Sequence, residues 1–426
     1  MSLLLRDVWL LDGSMDQGNR GDVLIQDGCI KAVDAPGTLE GNQVFDGRGR
    51  IAVLPALVNC HTHAAMVLLR GLGEERPLME WLEQRIWPVE ARLTPERIYW
   101  GARSALLEMA STGTVCFGDM YFEMDQVGQA ARDAGMRCGL CRGIVGGDAH
   151  KITEGVELAD VFKDDPDITV QMGPHAPYTV PMNALREITD LARNRGLSVH
   201  IHFLEAQWEL GYLRDELGCE PLEYLERSGL LDTPGLILAH GVWIPDDILN
   251  FLVNYGVTVV HNPGSNLKLG SGVAPVPGWI DAGVSVALGT DGAASNNRLD
   301  MWNEMRSMAL IHKGVNQDPT TVTAAQVLEA ATYGGYRALG FPRSGRIRPG
   351  WDADLMIVDL DRPQYVGLDG DNLGMYLVYA GSSADVKGTL SRGRWIYRDG
   401  TFPGQDVEDV LRNARQARTD LTEAKE

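Results

Sequence analysis

Short apolar segments alternate with amphipathic, helix-like stretches through the middle of the chain. The eight segments are β-rich and lie at 58–63, 114–120, 137–145, 168–175, 198–205, 236–240, 257–262 and 284–291. Continuous apolar strands separated by helices predict a parallel sheet that is buried on both faces. Eight such units predict an α/β fold with a closed (β/α)8 barrel of the TIM type. A doubly wound sheet usually has fewer strands and a glycine-rich first turn, whereas the first turn here is His-Thr-His.

The two ends of the chain have a different pattern. Near the start, short apolar runs are separated by Asp12-Gly13 and Asp27-Gly28, and near the end similar runs lead to Asp399-Gly400. Turn dipeptides at this spacing are typical of antiparallel hairpins. We therefore expect the two ends to pair into one small β-unit outside the barrel. The last residues, from 406 to 426, are polar and are predicted to be helical.

Composition narrows the classes of partner. The chain has 426 residues, of which 44% are hydrophobic, and its net charge is −20. Such an excess of negative charge repels phosphate backbones and acidic lipid surfaces, which disfavours nucleic-acid and membrane partners. No apolar run approaches the roughly 18 residues of a membrane span, and the first residues do not resemble a cleavable signal. We expect a cytoplasmic protein, and the sequence leaves self-association as a homo-oligomer open.

The cysteines support a reducing location. There are six, and most lie inside apolar runs, which is typical of reduced thiols in a cytoplasmic protein. Cys138 and Cys141 have the spacing of a redox or zinc pair. They have no second pair to accompany them and lie in a strand-like run, so packed thiols are the favoured interpretation.

The carboxyl ends of the predicted barrel strands carry the polar residues that suit chemistry, and barrel enzymes place their active sites there. Six of the nine histidines lie at these ends: His61, His63, His175, His202, His240 and His261. Other polar residues at strand ends are Arg142, Glu205, Asn262 and Asp291. Because residues two apart on a strand point to one side, the imidazoles of His61 and His63 should project together.

Three imidazoles and a carboxylate form a suitable site for one divalent metal ion with a position left for water. We predict His61, His63, His202 and Asp291 as the ligands. Zinc is the first choice of metal, and iron or manganese remains an alternative. A second ion would need a bridging carboxylate, such as a lysine modified by carbon dioxide at the end of the fourth strand. That strand ends instead in 173–175, Gly-Pro-His, so we predict a single metal.

Three further residues have predicted catalytic roles. Glu205 follows His202 by three residues, so it can reach a substrate without binding the metal and act as a proton shuttle; a solvated loop glutamate is the alternative. Asp291 can accept a proton from the attacking water while also binding the metal, although Thr-Asp-Gly is also an ordinary turn sequence. His240 would orient that water, or it is a buried core histidine. His200 lies deeper on the same face as His202 and is read as structural.

Together these residues resemble the amidohydrolase superfamily, in its single-metal deaminase branch. Within that branch the sequence is similar to the 5-methylthioadenosine/S-adenosylhomocysteine deaminase family, alongside triazine hydrolases and guanine deaminases. The similar stretches span nearly the whole chain and lie at 55–63, 173–178, 202–205, 239–240, 261–270 and 289–297. The resemblance implies a composite β-sandwich from residues 1–55 and 346–405, a metal-dependent barrel at 56–345 and a C-terminal helical tail at 406–426.

The resemblance also implies residues that bind the substrate. Trp81 corresponds to a residue that packs on the purine or its 5′ substituent, and Glu90 to an acceptor for the ribose hydroxyls. Arg142 corresponds to a contact with the 5′ tail, and His175 lies near the purine or ribose. Ser295, together with Glu205 and Asp291, completes the implied substrate set. The alternatives are a lid-packing aromatic for Trp81 and a surface ion pair or barrel-rim contact for Glu90 and Arg142.

The implied activity is hydrolytic deamination at carbon 6 of a free adenine nucleoside. 5′-Methylthioadenosine, S-adenosylhomocysteine or adenosine would give the inosine analogue and ammonia, under a lid formed by residues 71–93. The family often has a second arginine after the third strand, but residues 146–151 contain none, and His150 or Lys151 would substitute only weakly. A guanine deaminase or triazine hydrolase is the alternative activity. A non-enzymatic scaffold is disfavoured because all four ligands and Glu205 are present.

Overall fold

The structure is a computed structural model that describes residues 2–13 and 16–423. Its strands are β1 (Ser2–Leu10), β2 (Asn19–Gln26), β3 (Cys29–Asp34), β4 (Gln43–Asp46), β5 (Ile51–Pro55), β6 (Leu57–Thr62), β7 (Thr114–Tyr121), β8 (Arg137–Ile144), β9 (Ile168–Pro174), β10 (Ser198–Phe203), β11 (Leu236–His240), β12 (Thr258–His261), β13 (Ser285–Leu288), β14 (Leu355–Asp359), β15 (Val386–Ser391) and β16 (Arg394–Arg398).

The helices surround these strands. They are α1 (Leu78–Trp81), α2 (Trp87–Glu90), α3 (Pro95–Ser111), α4 (Met124–Ala134), α5 (Ala149–Phe162), α6 (Met182–Arg195), α7 (Trp208–Asp215), α8 (Pro221–Arg227), α9 (Leu249–Asn254), α10 (Pro263–Lys268), α11 (Val276–Ala282), α12 (Met301–Asn316), α13 (Ala324–Glu329), α14 (Gly335–Ala338), α15 (Leu373–Tyr379) and α16 (Val407–Thr422). Short 3-10 segments lie at Ala64–Leu69, Leu230–Asp232, Asp246–Ile248, Pro363–Tyr365, Gly370–Asn372 and Ser383–Asp385, and π-helical turns at Leu82–Ile86 and Ala330–Gly334.

The eight predicted apolar segments form the parallel barrel. Strands β6 to β13 pair in sequence order, each parallel to its neighbour. The interior is filled below the carboxyl ends by a buried cluster that includes Cys60, Cys116, Ile237, Val260 and Tyr336. Because these side chains come from strands on opposite sides of the barrel and from α14, they meet inside it. The predicted barrel is therefore confirmed, with a packed core rather than a pore.

The seam between β13 and β6 is closed largely by side chains. Asn59 is fully buried, and its Oδ1 accepts the backbone N–H of Thr290 at 2.9 Å while its Nδ2 donates to Thr290 Oγ1 at 2.7 Å. The backbone N–H of Asp291 donates to the carbonyl of His61 at 2.9 Å. An amide side chain can donate and accept at once, so Asn59 makes both of the hydrogen bonds that a backbone pair would make across this seam. The seam thereby holds His61 beside Asp291.

The two ends of the chain pair, as predicted. One mixed sheet has the order β16-β15-β14-β5-β1-β2-β3, with β4 beside β1. Strand β5 from the start of the chain pairs antiparallel with β14 from its end. The Asp27-Gly28 turn connects β2 and β3 with both residues at positive φ, 51° and 83°, which is the geometry of a tight hairpin. Asp12 has a different role, because its Oδ1 accepts the N–H of Ile347 at 2.6 Å.

A buried arginine fastens this sheet to the barrel. Arg137 begins β8, and its Nη1 donates to Asp354 Oδ2 at 2.6 Å and to Asp352 Oδ2 at 2.9 Å. Its guanidinium also lies 4.1 Å from the ring centroid of Phe341. These partners satisfy the charge in an environment that would otherwise make it costly to bury. The C-terminal helix α16 packs on α3, and its Arg418 Nη1 donates to the carbonyl of Leu68 at 2.7 Å.

Two further expectations concern the cysteine pair and membrane-spanning helices. Cys138 and Cys141 are buried free thiols, as the packed-thiol interpretation requires. Among residues 2–13 and 16–423, no helix combines the length and apolar character needed to cross a bilayer.

Replacing the seam amide should weaken the barrel. In Asn59→Ala the buried N–H of Thr290 loses its acceptor, and the Thr290 hydroxyl, which still donates to the Asp291 carbonyl, loses the amide that donates to it. We expect the free energy of unfolding to fall by about 2 kcal/mol. Urea unfolding followed by circular dichroism measures this change. Asn183→Ala, at an exposed position of α6, is the control and should change little. Equal, small effects of the two substitutions would contradict the role given to Asn59.

Candidate active site and metal centre

The four predicted ligands converge at the carboxyl end of the barrel. His61 and His63 come from the end of β6, His202 from β10 and Asp291 from the segment after β13. Asp291 Oδ1 lies 3.2 Å from His63 Nε2 and 3.6 Å from His61 Nε2. His202 Nε2 lies 3.4 Å from His63 Nε2. The structure therefore brings together the atoms that the sequence pattern selected, although they are up to 230 positions apart along the chain.

Each imidazole is oriented by a partner on its Nδ1 atom. The distance from His63 Nδ1 to the Met120 carbonyl is 2.5 Å, and that from His202 Nδ1 to the His175 carbonyl is 2.8 Å. Carbonyl oxygens only accept hydrogen bonds, so both Nδ1 atoms carry the proton and both Nε2 atoms are free to bind. His61 Nδ1 lies 3.0 Å from His200 Nε2, which gives His200 the structural role expected of it.

The residues fit a divalent cation. His61 Nε2 is buried, and it has no hydrogen-bond partner among the described residues, which is unusual for a buried polar atom. Burial lowers the pKa of both His61 and His202 well below the ordinary value, so both rings are neutral, as metal ligands must be. Burial also acts to lower the pKa of His63, but its contacts with Asp291 outweigh that effect and raise it to about 9. A cation bound by both His63 and Asp291 would replace the proton that these two side chains share.

Asp291 is held rigidly and kept ionised. It adopts a φ of 61°, and its Oδ2 accepts hydroxyl groups from Ser265 and Ser295, each at 2.7 Å. Burial would raise its pKa, yet the nearby histidines, led by His63, bring the pKa well below the usual range. Ser295 was predicted to bind substrate. Its hydroxyl donates to Asp291 in this structure, and its contact with substrate stays a prediction.

Glu205 and His240 lie beside this cluster. Glu205 is 6% exposed, and its Oε1 accepts the hydroxyl of Ser271 at 3.3 Å. Its Oε2 lies 3.7 Å from His240 Nε2, and His240 Nδ1 lies 2.9 Å from Asn266 Oδ1. Burial raises the pKa of Glu205 above the ordinary carboxyl value. A raised pKa favours the protonated form of this carboxyl group, which is the form that can donate a proton.

Two predicted substrate residues border the site. The ring of His175 lies 4.7 Å from that of His202, and its Nδ1 is 2.9 Å from Thr179 Oγ1. Glu90 accepts a hydrogen bond from the hydroxyl of Tyr121 at 2.5 Å. The Tyr121 ring is in turn 6.0 Å from the ring of His63, so Glu90 is one residue removed from the ligand cluster.

The polar groups of Trp81 and Arg142 form hydrogen bonds with other residues of the protein. Trp81 is buried in the segment after β6, and its indole N–H donates to the Leu72 carbonyl at 3.0 Å. Arg142 Nε donates to Glu154 Oε2 at 2.7 Å. His150 Nδ1 is 2.9 Å from the other oxygen of Glu154. An anionic substrate tail would thus compete with Glu154 for Arg142, and the tail contact stays a prediction.

His261 is the strand-end histidine that lies apart from the cluster. Its Nε2 is 3.4 Å from His312 Nε2 on α12, and its ring is 6.4 Å from that of Trp279 on α11. It therefore packs among the outer helices. Sequence reasoning missed Asn266, Ser265 and Ser271, which contact His240, Asp291 and Glu205. Two of the three lie on the short helix α10, but no sequence pattern shows which side chains of so short a helix point toward the site.

A model of the amidohydrolase family matches residues 52–396. The chain belongs to the amidohydrolase family. Among the relatives of this amidohydrolase is the 5-methylthioadenosine/S-adenosylhomocysteine deaminase of Dictyoglomus thermophilum, 40% identical over 426 residues and 99% of both chains. Another is the 5′-deoxyadenosine deaminase of Methanothermobacter thermautotrophicus, 41% identical over 413 residues and 95% of both chains. A crystal structure of a Xanthomonas campestris adenosine deaminase with bound zinc superimposes with a TM-score of 0.94, at 35% identity, covering 98% of each chain.

Removing metal from the purified amidohydrolase should destabilise it. Chelation would leave a buried imidazole nitrogen and a carboxylate of the ligand cluster without a cation. The midpoint temperature of thermal unfolding should therefore fall, and added Zn²⁺ should restore it. A ligand at 1,000 times its Kd stabilises a protein by about 4 kcal/mol.

Matched histidine variants identify the site responsible. His61→Ala should no longer respond to Zn²⁺, whereas His150→Ala, whose side chain is 81% exposed, should respond as the unaltered protein does. A zinc response that survives in His61→Ala would place the metal elsewhere.

Proposed function

We propose that this amidohydrolase deaminates carbon 6 of a free adenine nucleoside, with water as the second substrate, giving the inosine analogue and ammonia. The single observation that carries the proposal is the convergence of His61, His63, His202 and Asp291 beside His240, whose Nε2 lies 3.7 Å from Glu205 Oε2. Relatives named as deaminases of methylthioadenosine, adenosylhomocysteine and 5′-deoxyadenosine support the substrate class.

The metal that we propose is one zinc ion per subunit, held by His61, His63, His202 and Asp291. A bound divalent ion supplies Lewis acidity and lowers the pKa of water to about 7, so that hydroxide is available at neutral pH. The neutral imidazoles of His61 and His202 and the ionised carboxylate of Asp291 already have the protonation states that such binding requires, and His63 would give up the proton that it shares with Asp291. Iron and manganese use the same ligand types, and the relative with bound zinc favours zinc.

The protein residues move the protons. Asp291 is ionised, so its carboxylate can accept a proton from the attacking water. Glu205 has a raised pKa and can hold a proton, which it gives to the purine ring nitrogen. It then takes the proton of the hydroxyl group added at carbon 6 and gives that second proton to the departing amino group. The proton held by Asp291 restores Glu205 to its protonated form. His240 lies 3.7 Å from Glu205 and within the same group of ligand atoms as Asp291, where it would orient the water. Burial of all three side chains keeps bulk solvent from competing for these protons.

The remaining proposals concern substrate contacts, domain bounds and cellular location. We propose that Trp81 and His175 contact the purine side of the nucleoside and that Glu90 accepts the ribose hydroxyls. For the domains we propose 56–345 for the barrel and 1–55 with 346–405 for the sheet of the two chain ends. A net charge of −20 supports the absence of nucleic-acid and membrane partners, and the six free cysteines support a cytoplasmic location.

Glu205→Gln tests the proton shuttle. The substitution keeps the size of the side chain but removes its acid–base chemistry, so turnover should fall by about 10²- to 10⁴-fold. Metal content should stay unchanged, since Glu205 is not a ligand. Steady-state ammonia release and metal analysis measure the two quantities, and Glu187→Gln, at an exposed position of α6, is the control. Near-normal turnover of Glu205→Gln would remove Glu205 from the mechanism.

A substrate panel tests the reaction. Adenosine, methylthioadenosine and adenosylhomocysteine should release ammonia with a shift in ultraviolet absorbance, and guanine, cytosine and a chlorotriazine should react far more slowly. Competition between Glu154 and an anionic tail predicts that methylthioadenosine is preferred to adenosylhomocysteine. Faster processing of guanine or the triazine would overturn the substrate assignment while leaving the metal site intact.

A further inference from the structure

A second buried glutamate lies next to the proposed proton shuttle. Glu209 is near the start of α7, and its side chain is 2% exposed. Its Oε2 accepts the backbone N–H of Leu204 at 3.0 Å, and its Oε1 accepts the backbone N–H of Ala206 at 2.9 Å. These two amides lie directly before and after Glu205. One carboxylate therefore holds the backbone on both sides of the residue that is proposed to transfer protons.

The backbone at this point needs such support. Leu204 has a φ of 51°, in the left-handed region that a leucine side chain disfavours. Residues in such conformations persist only where their surroundings hold them, and they concentrate at functional sites. Besides the bond from Glu209, the carbonyl of Leu204 accepts the N–H of Trp243 at 3.0 Å. The turn that follows β10 is thus fixed through both polar groups of Leu204.

The side chain of Glu205 has few contacts of its own. Its nearest polar partners are the Ser271 hydroxyl, at 3.3 Å, and His240 Nε2, at 3.7 Å. Both distances are long for hydrogen bonds, so these partners fix the carboxyl group weakly. The position of the Glu205 carboxyl group therefore depends mainly on where its backbone is held.

Helix capping alone does not account for this arrangement. A glutamate in the first turn of a helix commonly bonds the backbone N–H three residues before it, and the bond to Ala206 has that pattern. The bond to Leu204 reaches two residues further back, beyond the helix, to the strained residue. That second bond stabilises the turn carrying Glu205 rather than α7.

We propose that Glu209 is a positioning residue for Glu205, fixing the strained turn so that the Glu205 carboxyl group reaches the substrate ring and the leaving group. This inference rests on the proposed function, because it assumes that Glu205 transfers protons in the reaction. Glu209 itself does not touch the substrate. Its effect is on the geometry of proton transfer, where a displacement of about 1 Å can cost 10²-fold in rate.

Glu209→Gln is the first test. The glutamine keeps one carbonyl acceptor but turns an amide group toward the second backbone N–H, so one of the two bonds is lost. We expect kcat to fall about 10- to 100-fold, with KM changed by less than roughly threefold and metal content unchanged. Arg214→Ala is the matched control, since Arg214 lies on α7 with Glu209 and its replacement removes a surface pair with Glu220 but leaves both bonds of Glu209. Arg214→Ala should keep normal kinetics.

A double-mutant cycle distinguishes positioning from a merely structural role. If Glu209 acts through Glu205, then adding Glu209→Gln to Glu205→Gln should change the residual ammonia release by less than roughly twofold. A structural role would lower the rate by the same factor in both backgrounds. Equal loss in both backgrounds, a change in KM alone or no loss at all would overturn the proposal. If Glu209→Gln fails to fold, Glu209→Asp, which keeps the charge with a shorter reach, takes its place in the same cycle.

The controls also separate this inference from the proposed function. If the unaltered protein releases no ammonia from any adenine nucleoside, the proposed function fails and the role of Glu209 fails with it. If the unaltered protein is active and the Glu209 variants lose rate equally in both backgrounds, only the role of Glu209 fails.

Discussion

The proposed chemistry depends on the direction in which imidazole rings point. A histidine can bind a metal through either nitrogen, and a ring that is free to turn would present neither reliably. In this chain the Nδ1 atoms of His63 and His202 are each committed to a backbone carbonyl, and that of His61 to His200. The Nε2 atoms of His61 and His63 are left to face Asp291, and that of His202 lies 3.4 Å from His63 Nε2. A preorganised set of ligands avoids the cost of ordering these side chains when the ion binds.

The barrel supplies the rigid frame for this arrangement. The Asn59–Thr290 bonds close the seam beside the ligands, so that His61 and Asp291 are held as neighbours by the closure itself. Farther out, buried glutamates connect helices to the active-site loops. Glu209 of α7 holds the turn at Glu205, and Glu304 of α12 accepts the backbone N–H of Gly264 at 2.8 Å. Residues at the ends of the strands are thus held in position by the helices that surround the barrel.

Burial sets the protonation states on which the chemistry relies. The same enclosed environment keeps His61 and His202 neutral and raises the pKa of Glu205, because a charge is poorly solvated there. Asp291 departs from this trend because it is surrounded by imidazoles and hydroxyl donors, which favour its ionised form. Two carboxyl groups in one pocket are thereby assigned opposite roles, one ionised and one able to carry a proton.

The sequence by itself determined the barrel, the pairing of the chain ends and the four candidate ligands. Strand periodicity and the residue types at strand ends are local properties, and parallel strands bring their carboxyl ends to one place. Tertiary structure alone decided which partners several of the side chains in and around the site contact. It turned Ser295 toward Asp291, paired Arg142 with Glu154, placed His261 among the outer helices and set Glu209 beside Glu205. These contacts join residues on separate elements, and their direction follows from packing and backbone dihedral angles, which no local pattern of residue types specifies.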